Sequence, residues 1–395
     1  MHLVYSAAVV LTLVLITLPA TAACAYLLLL TCLSGRPAGA PTASRRFCFD
    51  IIVPAHDEAA GIGRTISSLK ALDWPREQYR IVVVADNCTD ATAAVARDAG
   101  TTVLERRDAV LRGKGYALAH AFDWSRADGH ADAVVVVDAD SVVSANLLES
   151  FAARIEAGAC ALQAYYGVSN AADSWRTRLM AIAFSAIHKV RSRAREIMGL
   201  SCGIRGNGWC VTHALLAQIP YRFFSLTEDV EFGVELGLAG HRVGYCDESS
   251  VSGEMVSGEQ ASRSQRQRWE RGRLGLIRGT VPALLHTAAK RRDAVCLDLA
   301  LDLLVLPLSY LVVNVLAIAT IAAAAPTRLG HGLLALALLD LAALGAYVAR
   351  GWMLSGIGLE GAWDLARVPA FLVWKLLIVP FKPKPAGWIR TKREG

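Results

Sequence analysis

The stretch Val134-Val135-Val136-Val137-Asp138-Ala139-Asp140-Ser141 predicts the centre of the fold. Four consecutive β-branched residues are typical of a strand that is buried on both faces of a parallel sheet. Side chains two residues apart point to the same side of an extended backbone, so Asp138 and Asp140 are expected to converge on one point. Because open α/β sheets bind ligands at the carboxyl ends of their strands, this strand end is the first candidate site.

Two carboxylates in this arrangement predict a site for Mg²⁺ or Mn²⁺ beside a substrate diphosphate. These hard cations take oxygen ligands and combine a few carboxylates with substrate phosphates. Two other interpretations stay open on this motif alone. Asp138 and Asp140 are also suited to cap a turn and the following helix. An acid-x-acid motif after a buried strand resembles, in addition, the nucleophile motif of the haloacid-dehalogenase phosphatases.

Predicted strands and helices alternate between residues 47 and 257. The segments expected as strands are 49–54, 80–86, 102–104 and the valine strand, and the segments expected as helices are 62–71, 91–99 and 116–127. This β-α-β-α-β-α-β order predicts an α/β fold with a doubly wound, mostly parallel sheet.

The two ends of the chain are much more apolar than its middle. The chain is 54% hydrophobic with a mean hydropathy of +0.37, which is high for an ordinary soluble protein. Residues 3–33 carry no charge and are long enough to cross a bilayer. No Lys or Arg precedes them, which favours a retained helix over a cleaved signal peptide. Residues 295–325 and 333–348 are further candidate spans, so we expect three spans, or four if residues 368–381 also cross.

Basic residues predict the orientation and the surroundings of the chain. Arg36, Arg45 and Arg46 follow the first apolar segment, so the positive-inside rule places the next domain in the cytoplasm. The net charge of +6 is concentrated near apolar segments, which suits an anionic membrane surface. The sequence carries no nucleic-acid-binding motif, so no nucleic-acid partner is expected. The nine cysteines form no Cys-x-x-Cys pair, which indicates reduced thiols.

These observations predict that the chain consists of four parts. They are a transmembrane helix within residues 1–35, a cytoplasmic domain over 45–270, an interfacial amphipathic helix over 271–292, and a C-terminal part over 293–395 with transmembrane helices, an interfacial helix and a basic tail. The interfacial helices combine apolar residues with basic ones, as membrane-surface helices do. The sequence gives no indication of the oligomeric state.

Polar and glycine-rich motifs follow the predicted strands and begin the predicted helices. In chain order they are Pro54-Ala55-His56-Asp57-Glu58, Asp86-Asn87-Cys88-Thr89-Asp90, Arg112-Gly113-Lys114-Gly115, Asp138-Ala139-Asp140, Gly203-Ile204-Arg205-Gly206-Asn207-Gly208-Trp209, Thr227-Glu228-Asp229 and Gln265-Arg266-Gln267-Arg268-Trp269. Lys114 combines a cationic charge with flexible neighbouring glycines, which favours a contact with a diphosphate. Three glycines around Asn207 allow the backbone to approach a ligand closely.

In this order and spacing, Asp86, Asp138-x-Asp140, Asp229 and Gln265-x-x-Arg268-Trp269 resemble the membrane-embedded family-2 glycosyltransferases. That family includes cellulose, chitin and hyaluronan synthases, ceramide glucosyltransferase and bacterial exopolysaccharide transferases. The resemblance covers about residues 47–273 and implies a GT-A-like domain that binds a nucleotide-sugar. The chain departs from the family at Asp57, which stands where the family's strand-end motif has Asn.

The resemblance implies how the donor would be held. Glu58 and Asp86, together with Pro54, would bind the uridine of a UDP-sugar. Asp138 and Asp140 would bind Mg²⁺ or Mn²⁺ at its diphosphate, where a cation offsets charge on the leaving group.

The resemblance also implies the remaining roles. Asp229 would be the general base that deprotonates the acceptor hydroxyl. Glu228 is alternatively a neighbour that orients Asp229, and Trp269 is alternatively an anchor at the membrane interface. The other residues expected at the substrate are Lys114, Gly206, Asn207, Glu228, Gln265, Arg268 and Trp269.

The expected function is metal-dependent, inverting transfer of a sugar to a lipid or lipid-linked saccharide at the cytoplasmic face of a bacterial inner membrane, in glycolipid or exopolysaccharide synthesis. A processive polysaccharide synthase is the alternative. Helices about 10 Å across need five or six members to ring a sugar-wide pore, and three or four spans are too few in one protomer. A membrane protein that senses nucleotide-sugars is a further alternative, but it has no use for Asp229 or the motif at Gln265.

Overall fold

We analysed a computed structural model of the chain, which describes residues 2–39, 42–255, 259–325 and 327–369. For residues 2–14 and 259–274 it describes the backbone alone. The central domain is built on one sheet of eight strands. The strands are β1 (Phe49–Ala55), β2 (Tyr79–Asp86), β3 (Thr102–Arg106), β4 (Ala133–Val136), β5 (Ser141–Val143), β6 (Ala161–Val168), β7 (Trp209–Thr212) and β8 (Gly244–Gly253).

The strand order in the sheet is β3-β2-β1-β4-β7-β6-β8-β5. The pairs β3–β2, β2–β1, β1–β4 and β6–β8 are parallel, whereas β4–β7, β7–β6 and β8–β5 are antiparallel. The predicted α/β fold with a mostly parallel sheet is therefore confirmed. The first four strands form the parallel half, and the second half of the sheet is mixed.

Fourteen α-helices are described in addition to the sheet. They are α1 (His2–Cys32), α2 (Ile62–Lys70), α3 (Thr92–Asp98), α4 (Lys114–Asp128), α5 (Leu147–Glu156), α6 (Trp175–Ser185), α7 (Arg191–Ile197), α8 (His213–Gln218), α9 (Glu228–Leu238), α10 (Glu259–Arg291), α11 (Ala294–Leu304), α12 (Leu308–Ala323), α13 (Arg328–Ser355) and α14 (Leu359–Leu365). A π-helical turn, Ala186–Val190, joins α6 to α7.

The valine strand lies at the centre of the domain, as predicted. Val134 and Val136 belong to the core on one face of the sheet, and Val135 and Val137 belong to the core on the other face. All four side chains are fully buried. A strand covered on both faces has no solvated side, which explains its continuous run of β-branched residues.

Two described helices are long and apolar enough to cross a membrane, Leu15–Cys32 within α1 and Arg328–Ser355, which is α13. The expected span over 295–325 is instead broken into α11 and α12, which meet at an angle of 72°. Pro307 explains the break, because proline lacks an N–H and disfavours a helical conformation in the residue before it. If the bent pair is one span, the described residues contain three. Of the further candidate span over 368–381, residues 370–381 lie outside the described residues.

The boundary predicted at residue 271 falls inside a single helix, because α10 runs without a break from Glu259 to Arg291. The helix ends where Arg292 takes a positive φ of 54°. The side chain of Asp293 then accepts hydrogen bonds from the backbone of Val295 and Cys296 and caps α11. The predicted interfacial segment is thus the second half of a longer helix.

Candidate active site

The motif Asp138-Ala139-Asp140 lies at the carboxyl end of β4, in the middle of the sheet. Ala139 is buried at 5% exposure, and its carbonyl accepts a hydrogen bond of 2.7 Å from the Thr65 hydroxyl on α2. Asp138 and Asp140 are both partly exposed. Ala139 and Asp140 form a turn rather than a continuation of β4, in which the backbone N–H of Ser141 donates to the carbonyl oxygen of Asp138 at 3.2 Å. The predicted convergence of the two carboxylates on one cation stays a prediction.

The Asn207 side chain braces this motif. The amide oxygen of Asn207 accepts a hydrogen bond from the backbone N–H of Asp138 at 3.0 Å, and its NH₂ group donates to the Ser141 hydroxyl at 2.8 Å. Asn207 is fully buried. Asn207 thus positions the acid motif, and its predicted contact with the substrate stays a prediction.

Lys114 joins the acid motif to the loop over residues 203–208, which we call the glycine-rich loop. Its ammonium group lies 2.6 Å from Oδ1 of Asp138 and 2.6 Å from the carbonyl oxygen of Gly206. Burial lowers the pKa of Lys114, but the charges of Asp138, Glu228 and Asp229 outweigh that effect and raise the pKa above its usual value. Lys114 therefore carries a fixed positive charge in the middle of three carboxylates.

Gly206 brings the backbone of this loop against Asp229. A Cβ atom at position 206 would lie 3.1 Å from Oδ2 of Asp229, and the φ of Gly206 is 81°. Both observations explain why glycine occupies this position, since a side chain would be crowded and its backbone strained. Gly206 thus lies next to Asp229 and, through its carbonyl oxygen, next to the Lys114 ammonium that pairs with Asp138.

Glu228 and Asp229 begin α9, where the free backbone N–H groups of a helix favour negative charge. Glu228 is buried at 7% exposure, whereas Asp229 is partly exposed. Burial and the charge of Asp229 raise the pKa of Glu228 to about 7, although Lys114 opposes the shift. Burial also raises the pKa of Asp229, against the opposing effects of Lys114 and of backbone N–H groups at the helix start.

Tyr166 on β6 is a site residue that the sequence analysis missed. Burial and the charges of Asp138, Asp140 and Asp229 raise the pKa of its hydroxyl well above the usual value, and it hydrogen-bonds to Asn207. The Tyr166 ring packs edge-on against Phe184 with centroids 5.1 Å apart. The sequence signal was the aromatic pair Tyr165-Tyr166 between Gly158 and Asn170, a spacing that fits a strand.

The residues predicted to hold the nucleoside lie at the ends of β1 and β2. Oδ1 of Asp86 accepts a hydrogen bond of 2.7 Å from Arg106, and Asp86 is buried. Pro54 lies beyond the last residue of β1 that pairs with β4, so its missing N–H breaks no bond to that strand. Glu58 is partly exposed and directly precedes the turn into α2. The contacts of these three residues with a nucleoside stay predictions.

Asp57, which departs from the family pattern, has a structural role. Its carboxylate accepts hydrogen bonds from the backbone N–H groups of Thr89 at 2.6 Å and Asp90 at 3.2 Å. These bonds lower the pKa of Asp57. The loop after β2 is therefore tied to the loop after β1.

Gln265, Arg268 and Trp269 fall on α10, in the part for which the structure describes the backbone alone. They lie about one to three helical turns after the start of that helix. Their predicted contacts with a diphosphate or a sugar lie outside the described side chains and stay predictions.

Comparison with known proteins identifies the central domain. The family described as glycosyltransferase-like family 2 matches residues 46–272, more than half of the chain. The beta-monoglucosyldiacylglycerol synthase of Synechocystis is 29% identical over 226 residues, which are 56% of this chain and 47% of that protein. A probable glycosyltransferase of Bacillus subtilis, YdaM, is 22% identical over 231 residues, 56% of this chain and 54% of that protein. The matches thus span about half the length of these relatives.

The fold resembles a solved glycosyltransferase structure as well. It is the mannosyltransferase PcManGT from Pyrobaculum calidifontis in complex with GDP-Man and Mn²⁺, with a TM-score of 0.54 and 19% identity over 89% of this chain and 99% of that chain. At this identity the similarity supports the fold alone. The family match replaces the phosphatase interpretation of the acid motif and confirms the predicted enzyme class. The chain belongs to the glycosyltransferase-like family 2.

Proposed function

We propose that this chain transfers a sugar from a UDP-sugar to a lipid or lipid-linked saccharide, with inversion at the anomeric carbon. The observation that carries this proposal is that Lys114 and Gly206 connect Asp138 to Asp229: the Lys114 ammonium contacts Asp138 and the carbonyl oxygen of Gly206, and Gly206 lies against Asp229. An acid and a cation suited to a diphosphate thus lie in one site with a carboxylate suited to act as a base. An inverting transferase needs these two groups flanking the anomeric carbon.

Asp138 and Asp140 fit a divalent cation. Both are partly exposed carboxylates, the ligand type that Mg²⁺ and Mn²⁺ prefer, and Asp138 already pairs with a cationic group, the Lys114 ammonium. When bound there, the metal supplies positive charge that offsets the negative charge of the diphosphate leaving group.

The chain's own residues account for the remaining chemistry. Asp229 takes the proton of the acceptor hydroxyl as its oxygen forms a bond to the anomeric carbon. The bond from that carbon to the diphosphate oxygen breaks on the opposite face, and the electron pair leaves with the nucleoside diphosphate. Lys114 holds a positive charge near that leaving group. No covalent sugar–enzyme intermediate is needed, and the configuration inverts.

Three observations support a lipid acceptor, which we place at the cytoplasmic face of a bacterial inner membrane. The described residues contain two helices that are long and apolar enough to span. One relative is named as a synthase of a glycolipid, monoglucosyldiacylglycerol. In addition, Asp340 on α13 accepts a hydrogen bond of 2.7 Å from Thr21 on α1, so a carboxylate that is costly in lipid faces another helix.

The test is product analysis with the full chain in nanodiscs. A panel of nucleotide-sugars is offered with lipid extracts, and the products are identified by mass spectrometry. We expect a short lipid-extractable glycoside that forms with the wild type and is absent with Asp229→Asn. Binding without turnover would favour a sensor and contradict transfer. A high-molecular-weight polymer would favour the processive alternative.

A further inference from the structure

A cluster of buried charges lies between the glycine-rich loop and the apolar helices. We call it the ion cluster, and its members are Arg191, Arg195, Arg205, Asp298 and Asp302. Arg191 and Arg195 lie on α7, Arg205 lies in the glycine-rich loop, and the two aspartates lie on α11. Each of the five side chains is at most 15% exposed. Charges removed from water to this extent must be paired.

Asp302 is the centre of the cluster. Its Oδ1 lies 2.9 Å from Nη1 of Arg191 and 2.8 Å from Nη2 of Arg195. Its other carboxylate oxygen, Oδ2, accepts a hydrogen bond of 3.2 Å from Arg205. One carboxylate on α11 therefore holds the guanidinium of the glycine-rich loop together with two guanidiniums of α7.

Two tyrosines connect the cluster to the helices that are apolar enough to span a membrane. Tyr26 on α1 accepts a hydrogen bond of 2.6 Å from Arg195 and donates one of 2.7 Å to Asp298. Tyr347 on α13 accepts a hydrogen bond of 2.8 Å from Arg191. The cluster thus contacts α1, α11 and α13 at once.

The other end of the cluster reaches the candidate active site through one residue. Arg205 directly precedes Gly206. The carbonyl oxygen of Gly206 accepts a hydrogen bond from the Lys114 ammonium, and a Cβ added to Gly206 would lie 3.1 Å from Oδ2 of Asp229. The backbone N–H of Arg205 donates to Gln163 at 2.8 Å. The backbone at Arg205 is therefore held by β6, and its side chain is held by α11.

Helix α9 provides a second connection between the glycine-rich loop and α11. Gly233 on α9 lies against the loop so closely that a Cβ there would be 2.9 Å from the backbone nitrogen of Ile204. Leu299 on α11 packs against Gly237, one turn further along α9. The helix that begins with Glu228 and Asp229 is thus packed between the loop and α11.

We propose that Arg205 is a positioning residue, and that its pairing with Asp302 makes the placement of Gly206 beside Lys114 and Asp229 depend on the packing of α1, α11 and α13. The catalytic consequence rests on the proposed transfer reaction, whereas the structural coupling does not. In this arrangement, a sugar-transfer site is assembled only when the apolar helices are packed as they are in this structure.

The first experiment measures backbone hydrogen exchange in the segment 203–208, with the full chain in nanodiscs and without substrate. Arg205→Gln removes the charged end that Asp302 holds, and we expect exchange in this segment to become at least tenfold faster. Tyr347→Phe removes a hydroxyl on α13, and we expect a smaller acceleration in the same segment. Asp302 is left unchanged, because its loss would leave three guanidiniums around one remaining carboxylate.

The matched control is Arg193→Gln. Arg193 also lies on α7 and makes two hydrogen bonds of 2.7 Å to Asp247, so the variant loses a buried ion pair of similar kind outside the ion cluster. Exchange at 203–208 should not change in this control. Equal exchange in Arg205→Gln and wild type, or an equal acceleration in Arg193→Gln, would overturn the proposal whether or not the chain transfers sugar.

The second experiment measures turnover. For Arg205→Gln we expect a fall in kcat of at least tenfold. The affinity for nucleoside diphosphate should stay within threefold of wild type, because the variant leaves unchanged Asp138 and Asp140, the carboxylates proposed to bind the cation at the diphosphate. Arg205→Lys should recover part of kcat, since it keeps the charge but loses the planar guanidinium. A loss confined to donor affinity would overturn the positioning role.

Discussion

Replacing Asp229 by Asn removes the base from the site with almost no change in shape. Oδ2 of Asp229 lies against Gly206, and an amide of equal size fits the same space, so the fold should survive. A general base contributes about 10²- to 10⁴-fold in rate, which corresponds to roughly 3 to 5 kcal/mol of transition-state stabilisation. We therefore expect kcat to fall by about that factor. Nucleotide affinity should stay within a few-fold, because a base acts in the transition state rather than on the bound donor.

The adjacent Glu228 provides a matched control. Its pKa of about 7 means that much of it is already protonated at neutral pH, so Glu228→Gln should keep most of the turnover. Stopped assays of nucleoside diphosphate release and sugar transfer measure both variants. Retention of more than a tenth of wild-type turnover by Asp229→Asn would refute the assignment of the base. Equal losses in the two variants would indicate a structural effect.

The pH dependence of kcat follows from the pair Glu228 and Asp229. A base works only when it is deprotonated, so a raised pKa of Asp229 moves the acid limb of kcat above the range of an ordinary aspartate. The charge of Asp229 in turn raises the pKa of the neighbouring Glu228, because the two charges repel, so Glu228 keeps its proton while Asp229 ionises. Glu228→Gln should therefore leave the acid limb nearly where it is in the wild type. A large shift of the acid limb in this variant would contradict that order of ionisation.

Three further perturbations test other parts of the structure. Asp138→Ala or Asp140→Ala should weaken nucleoside diphosphate binding in Mn²⁺ but change metal-free binding little, and full activity in excess EDTA would remove the metal from the mechanism. Tyr166→Phe deletes a hydroxyl that bonds to Asn207 among the site carboxylates and should lower kcat by about tenfold, the value of one lost neutral hydrogen bond, with an unchanged melting temperature. Asp50→Ala leaves Arg80 without its buried bidentate partner at 2.8 and 2.9 Å and should cost about 3 kcal/mol, seen as a fall of about 5 to 10 °C in the thermal midpoint. The exposed aspartate of the Asp123–Arg126 pair is the control, and an equal fall in Asp123→Ala would show that burial is not the cause.

Local patterns in the sequence were sufficient for the central strand and its two carboxylates. Four valines make a strand that both faces of a sheet must cover, and the two carboxylates follow at its carboxyl end. The turn at Ala139 and Asp140 was not predicted, because the sequence analysis extended the alternation of the strand past Val137. The apolar helices α1 and α13 were equally predictable, because length and composition alone decide whether a segment is long enough to span. The 72° bend between α11 and α12 was not predicted, although Pro307 lies within the expected span.

The supports of the site were decided by the tertiary structure. Asn207 reaches Asp138 across 69 residues of chain, and Arg205 reaches Asp302 across 97. Tyr166 lies at the site because β6 and β7 are inserted beside β4 in the mixed half of the sheet. The sequence identifies residues able to accept, donate or carry charge, but which of them meet depends on strand order and helix packing. Hydrogen bonds and ion pairs act only over a few ångströms, so only the assembled fold determines which of these groups are partners.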